Sequence, residues 1–310
     1  MHKIAIILPA YNEALTIKET ILSFYNELPE AQIIVIDNNS NDDTSKITNE
    51  TFKQHNIKGT LLFEKRQGKG NAVRYAFKQI KADIYVMADA DMTYPASSIH
   101  KLIEPIQNNH CDMVVGDRHS DGDYKKENKR PFHNIGNNLV KTMVNKLFNS
   151  NISDIMSGYR AFSHRFIKNY PILVEGFELE TDMTLHALDK RFNIEEVSIS
   201  YKDRPDGSYS KLNTFNDGAK VIFTIIQIFR YYRPLLFFGL LSLFFALLSI
   251  ISAIPVFDDW FRHQYIYHVP LAILATGLGL ISIIFISLGI TLDAIAHQHK
   301  IEFEQKVMQD

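Results

Sequence analysis

Apolar runs recur along the first part of the chain, and each is closed by polar residues. Residues 3–8 read as a buried strand by their β-branched content. Pro9-Ala10-Tyr11-Asn12-Glu13 ends it, and an amphipathic helix follows to about Leu28. Residues 32–37 are a second strand, and the polar loop 38–44 behind it can cap a helix. Residues 60–64 are a third. Arg66-Gln67-Gly68-Lys69-Gly70-Asn71 is a glycine-flanked basic turn that opens a helix through about Lys81. Residues 84–88 form a strand running into Asp89-Ala90-Asp91, and residues 112–117 form another. Apolar strands alternating with helices predict an α/β fold, a mostly parallel sheet with helices on both faces.

The pattern changes toward the C-terminus. Between Asn216 and Tyr232 the polar residues Asp217, Lys220, Thr224 and Gln227 share a narrow helical stripe beside a broad apolar face. That suits an amphipathic helix at the bilayer interface, with packing on a soluble domain as the alternative. Residues 235–254 and 269–292 are uncharged apolar runs of membrane-spanning length. Gly277, Gly279 and Gly289 are close-packing positions in the second. Arg230 and Arg233 precede the first span and Lys300 follows the second, while the loop 256–268 sets Asp258 and Asp259 against only Arg262. Positive-inside bias then puts both ends in the cytoplasm, with Trp260, Tyr265 and Tyr267 at an interface. The expected organisation is 1–214 as a cytoplasmic domain, 215–233 as the interfacial helix and 234–310 as a membrane anchor with a short cytoplasmic tail.

Composition narrows the chemistry. A formal net charge of -2 gives no global basic field for nucleic acid. The single cysteine, Cys111, excludes an internal disulfide and a multi-thiolate metal site. The apolar stretch after Lys3 is too short for a signal-peptide core. The glycine turn lacks the spacing of a phosphate-binding P-loop, and the first strand is not followed by the dinucleotide glycine fingerprint.

Asp89 and Asp91 sit where a central strand ends, which is where open α/β sheets bind ligands. Carboxylates at i and i+2 of an extended chain point the same way. Such a pair can hold a hard divalent ion and leave positions for phosphate oxygens and water; two solvated aspartates are the plain alternative. Asn12, Glu13 and Asp37 end the earlier strands, so one acidic cluster forms at one sheet edge. The second half is richer in arginine and glycine, as in Gly116-Asp117-Arg118, residues 130–137, residues 154–162 and residues 204–212. Arginine suits phosphate through its planar fork, although surface solvation would also account for it. Glu178, Glu180 and Asp182 fit either a site or the acidic start of a helix.

Six stretches carry a resemblance when taken in order. They are Leu8-Pro9-Ala10-Tyr11-Asn12-Glu13, Ile36-Asp37-Asn38-Asn39-Ser40, Gly68-Lys69-Gly70-Asn71-Ala72, Asp89-Ala90-Asp91, Ser157-Gly158-Tyr159-Arg160 and Arg204-Pro205-Asp206-Gly207-Ser208. Together they resemble the family 2 glycosyltransferases, in particular the dolichyl- or polyprenyl-phosphate branch with C-terminal membrane helices. The resemblance implies a GT-A fold, a UDP- or GDP-sugar donor and Mg2+ or Mn2+. It implies that Pro9, Tyr11 and Glu13 line the base pocket, that Asp37 and Lys69 also serve the donor, and that Asp89 binds the nucleotide or metal. Asp91 would be the metal ligand. Thr93 stands where many relatives carry a further ligand, Gln. Arg118, Arg130 and Arg204 match positions that face phosphates, Asn134 stands where some relatives carry a phosphate-binding Ser, and Lys211 is a weaker acceptor contact.

The implied reaction is inverting transfer to a polyprenyl phosphate at the cytoplasmic membrane, for cell-envelope glycans or glycoconjugates. The nucleophile is then already an anion, and no strong general base is required. A glycolipid or polysaccharide-precursor hydroxyl is the alternative acceptor, and it would lean on Glu178 or Glu180. The only tryptophan, Trp260, has no Gln-x-x-Arg-Trp context, which argues against processive synthesis. A scaffold with a decayed transferase fold is opposed by intact Asp37, Asp89 and Asp91. A homo-oligomer is left open.

Overall fold

The structure, a computed structural model, describes residues 2–118, 131–176, 178–202 and 226–308, with the side chains of 131–137 outside the description. The chain divides into two compact units, Met1–Asp217 and Gly218–Asp310.

In the first unit β1 (Ile4–Ala10), α1 (Ile17–Glu27), β2 (Gln32–Asp37), α2 (Thr44–Gln54), β3 (Thr60–Phe63), α3 (Lys69–Gln79) and β4 (Ile84–Met87) alternate. After a 3-10 turn come α4 (Ile99–Gln107), β5 (Met113–Asp117), α5 (Pro131–Phe148), β6 (Arg160–Ser163), α6 (His164–Asn169), α7 (Leu179–Asp189) and β7 (Ile194–Ser198). The seven strands form one sheet in the order β3-β2-β1-β4-β6-β5-β7. All pairs are parallel except those of β6, which runs antiparallel to both β4 and β5.

Strands β1 and β4 carry no charged residue because both faces are covered. Ile6, Ile7, Leu8, Ile33, Ile34, Val35 and Val86 are fully buried. Helix α1 seats Ile17, Thr20, Ile21 and Phe24 on the core, the spacing of one helical face. From β1 the chain steps outward through β2 to β3, then returns to β4 on the other side of β1. The loops after β1 and β4 therefore diverge, and a crevice opens at the carboxyl ends of the strands.

The second unit contains α8 (Pro234–His263) and α9 (Val269–Met308), both long and apolar enough to cross a membrane. Only 11% of each apolar window is buried within the protein, so neither is the core helix of a soluble fold. They pack on each other through small and hydroxyl residues. Ser282 Oγ donates to Ser242 O at 2.9 Å, Ser249 Oγ donates to Ala275 O at 2.7 Å, and Gly289 lies against Phe238.

One expectation is corrected here. Helix α8 continues through Pro255 to His263, so Asp258, Asp259 and Trp260 are helical and the connection shortens to residues 264–268. Gln264 ends the helix in a left-handed conformation, φ 52°. Asp259 then accepts from the backbone N–H groups of Tyr267 (2.8 Å) and His268 (2.9 Å), which satisfies donors just ahead of α9. Residues 226–232 are helical; the earlier part of the expected interfacial helix lies outside the described residues.

Candidate active site

The loops at the carboxyl edge of the sheet are sewn together by side chains. Asn12 adopts φ 52°; its N–H donates to Ser40 Oγ at 2.9 Å, and its Oδ1 accepts from Asn41 N at 2.7 Å. Glu13 N donates to Thr44 Oγ1 at 2.9 Å, and Glu13 Oε2 accepts from Thr16 Oγ1 at 3.1 Å. Pro9, near the end of β1, and Tyr11 and Glu13, in the loop, are all half-buried. Asp37 ends β2 and is buried; its Oδ1 accepts from Ser40 N at 2.8 Å, and its Oδ2 accepts from Ser45 Oγ. Asn38 ties in the glycine turn: its Oδ1 accepts from Gly68 N at 2.7 Å, and its Nδ2 donates to Arg66 O at 2.7 Å.

Glycine is needed on both sides of Lys69. Gly68 sits at φ 126°, and a Cβ on Gly68 or Gly70 would run into the carbonyls of Glu175 or Val174. The turn is thereby pressed against residues 174–175, with Gly70 N donating to Glu175 O at 2.9 Å. The Lys69 side chain is largely covered, and its Nζ lies 2.5 Å from Asp89 Oδ1 and 2.5 Å from Glu180 Oε1. Burial works against its charge, but the Asp89 and Glu180 carboxylates outweigh that and hold its pKa above the ordinary lysine value.

Asp89 and Asp91 are presented by a turn rather than by an extended strand. The chain turns at Ala90-Asp91, and Met92 adopts φ 64°. Thr16 Oγ1 (2.8 Å) and Thr20 Oγ1 (3.2 Å) both donate to Ala90 O, fixing the turn to α1. Tyr94 anchors the far side; its hydroxyl accepts from Gly158 N at 2.8 Å, and its ring packs on Tyr159 and Tyr201. Burial pushes the Tyr94 phenol up to about 12, so it stays protonated at neutral pH. The two carboxylates are held differently. Asp89 is partly open beside Lys69. Asp91 is only 4% exposed, and its Oδ1 accepts from Thr93 Oγ1 at 2.6 Å and from Thr93 N at 3.1 Å. The Thr93 hydroxyl proton therefore goes to Asp91 and sets that carboxylate's orientation.

This donor set suits a hard divalent ion. Among the described residues no group of three His, Cys, Asp or Glu converges on a metal position. One or two carboxylates with the rest of the shell left to phosphate oxygens and water is the usual arrangement for Mg2+ in phosphate-handling sites.

The arginines divide. Arg118, at the end of β5, is buried with its fork on Asp154: Nε donates to Oδ2 at 2.7 Å and Nη2 to Oδ1 at 2.9 Å. Asp154 is held in turn by Glu196, which accepts from Asp154 N and Ser153 N. Arg160 is wholly buried, donating to Ser157 O, Ile155 O and Thr184 Oγ1. It fixes the 155–158 loop from beneath and is not presented to a ligand. Arg130, Arg204 and Lys211 lie outside the described residues, as does the side chain of Asn134 on α5. Of the partners that hold the turn, Thr16, Thr20 and Tyr94 lie outside the six motif stretches, and Gly158 falls within one of them.

The description "Glycosyl transferase family 2" belongs to the family model that matches residues 5–170, more than half of the chain. The protein belongs to this family and is a glycosyltransferase. It is 27% identical over 298 residues to glycosyltransferase AglJ of Haloferax volcanii, covering 96% of this chain and 95% of that one. It is 29% identical over 230 residues to a dolichol-phosphate mannosyltransferase of Pyrococcus furiosus, covering 73% and 62%. Among solved structures, glucosyl-3-phosphoglycerate synthase from Mycobacterium tuberculosis in complex with Mn2+, UDP and phosphoglyceric acid matches with a TM-score of 0.58 at 18% identity, over 74% of this chain and 78% of that one. The fold is of the expected GT-A type.

Proposed function

We propose that the protein transfers a sugar from a UDP- or GDP-sugar to a polyprenyl phosphate, with inversion and with Mg2+ or Mn2+, at the cytoplasmic face of the membrane. The observation that carries this reading is the gathering of Asp37, Lys69, Asp89 and Asp91 at one sheet edge in a chain that also has two spans. The relatives named for dolichol-phosphate sugar transfer support the acceptor class.

The residues divide the work. The β1 loop and Asp37 hold the nucleoside. Asp89 and Asp91 face the diphosphate, where a bound divalent ion supplies Lewis-acid stabilisation of the leaving charge. Lys69 keeps Asp89 in one orientation. Arg130 and Arg204, with Arg118 beside them, hold the acceptor phosphate in line, which is catalysis by positioning and electrostatics. Lys211 and Arg204 lie shortly before the second unit in sequence, which suits an acceptor that arrives from the bilayer. The two carboxylates open to a base role have other engagements: Glu180 pairs with Lys69, and Glu178 accepts from Gly176 N at 3.3 Å. This favours an acceptor already ionised over a sugar hydroxyl.

The purified full chain, given Mn2+ or Mg2+, undecaprenyl phosphate and a panel of nucleotide sugars, is expected to form one sugar-phosphate lipid identifiable by mass, and chelation is expected to stop it. Transfer to a diacylglycerol lipid or an oligosaccharide instead would overturn the acceptor. Topology gives a separate expectation. A reporter fused after Asp310 reads as cytoplasmic, and one inserted in the 264–268 turn reads as external. The opposite pattern would place the site away from nucleotide sugars.

A further inference from the structure

The structure points to Glu180 as a positioning residue of the transfer site, acting on Asp89 through Lys69. This rests on the nucleotide-sugar reading of that site but not on the identity of the acceptor. Glu180 lies in the first turn of α7, far in sequence from the Asp89 turn, yet its carboxylate shares Lys69 Nζ with Asp89 at 2.5 Å on each side. The Lys69 and Glu180 side chains are nearly buried, 9% and 7% exposed, whereas Asp89 is 30% exposed. The inner pair is thus shielded, and the outer carboxylate is the one a ligand reaches.

The surroundings hold Glu180 in place. It sits at a helix N-terminus, which favours negative charge. Its backbone carbonyl accepts from Thr184 Oγ1 at 3.0 Å, and the same Oγ1 accepts from Arg160 Nη1 at 2.8 Å. Gly158 packs closely against the pair: a Cβ there would stand 2.9 Å from both Asp89 Oδ2 and Lys69 Nζ, so any larger residue would displace them. Remove the Glu180 charge, and Lys69 keeps only Asp89 to bind, free to choose among geometries that the shared arrangement excludes. Burying an ion pair gains little stability by itself. The arrangement instead gives Asp89 one orientation.

The test uses the full chain with Glu180→Gln, Lys69→Met and the double variant. Three quantities are read: kcat for hydrolysis of the nucleotide sugar, in which water takes the sugar and the nucleoside diphosphate leaves, the Kd of UDP or GDP by calorimetry, and thermal unfolding. Glu180→Gln is expected to lower kcat about tenfold with nucleotide Kd within about threefold of wild type. In the Lys69→Met background it is expected to add less than about twofold, because the path through Lys69 is already cut. A merely structural role would lower kcat and bound nucleotide together, in step with the folded fraction. Unchanged kcat in Glu180→Gln overturns the inference. So does an equal tenfold loss in both backgrounds, which would make Glu180 an independent group such as a base. Should Glu180→Gln fail to fold, Glu180→Asp carries the same test, with the charge kept and the reach shortened. A wild-type protein that binds nucleotide and releases diphosphate without glycosylating polyprenyl phosphate overturns the acceptor reading alone, since the coupling is read without acceptor.

Discussion

Asp91→Ala is expected to leave a folded protein whose sugar transfer falls by about a thousandfold, the upper range for losing one preorganised electrostatic group. Asp91 is the more deeply held of the two turn carboxylates. It is 4% exposed and accepts from both the amide and the hydroxyl of Thr93. Those hydrogen bonds hold the carboxylate in one orientation, which is what a site that must face a diphosphate and its cation needs. The turn itself does not depend on the side chain. Ala90 O remains bound by Thr16 and Thr20, and Tyr94 remains bound by Gly158, so the fold should survive. Thr93→Val serves as the graded companion. It removes one donor to Asp91 and should cost about tenfold, in line with one lost hydrogen bond to a charged group. The measurements are kcat with saturating donor and thermal unfolding of the same samples. An Asp91→Ala protein with near-normal kcat would remove the role assigned to this turn. One that no longer folds would show that Asp91 is chiefly structural.

The sheet was readable where strands are apolar on both faces, and it became harder to read where they are not. Residues of β1, β2 and β4 form long apolar runs because helices cover both sides, and such runs announce themselves. Strand β6 does not. It opens with Arg160, a fully buried cation whose partners are two backbone carbonyls and Thr184, so the stretch reads as a functional loop. Strand β7, with Glu195 and Glu196 at an edge of the sheet, carries no apolar run either. The antiparallel insertion of β6 into an otherwise parallel sheet follows from those two segments and could not be drawn from the first half. The site shows the same division. Asp37 stands out because it closes β2, and Asp89 and Asp91 because they follow the apolar run of β4. The Lys69–Glu180 contact depends on the chain folding back over many residues, and nothing local to Lys69 names its second partner. The cations expected at phosphates also include one, Arg118, whose side chain the fold buries against Asp154.

Asp154→Ala is expected to destabilise the protein by about 3–5 kcal/mol, the range for stripping one partner from a buried ion pair. Arg118 meets Asp154 with both arms of its fork, at 2.7 and 2.9 Å, and neither side chain is more than 10% exposed. Asp154 is also pinned from behind, since Glu196 accepts from the amides of Ser153 and Asp154. Deleting the carboxylate leaves a guanidinium beside the Tyr201 ring, 5.7 Å from its centroid, without that counter-charge. Replacing both members, as Arg118→Met with Asp154→Leu, removes the charges together and should recover most of the loss, because an apolar pair of similar volume avoids the desolvation cost. The double variant also separates two roles for Arg118. If it only braces the end of β5, a stable double variant will transfer sugar at close to the normal rate. If it contributes to the acceptor phosphate, as proposed, the double variant will be stable and still slow by about a hundredfold, with nucleotide affinity preserved. Thermal unfolding of the detergent-solubilised full chain reports the first quantity, and single-turnover transfer reports the second. An Asp154→Ala protein as stable as the wild type would mean that the pair is not the buried clamp described, and a fully active double variant would remove Arg118 from the reaction.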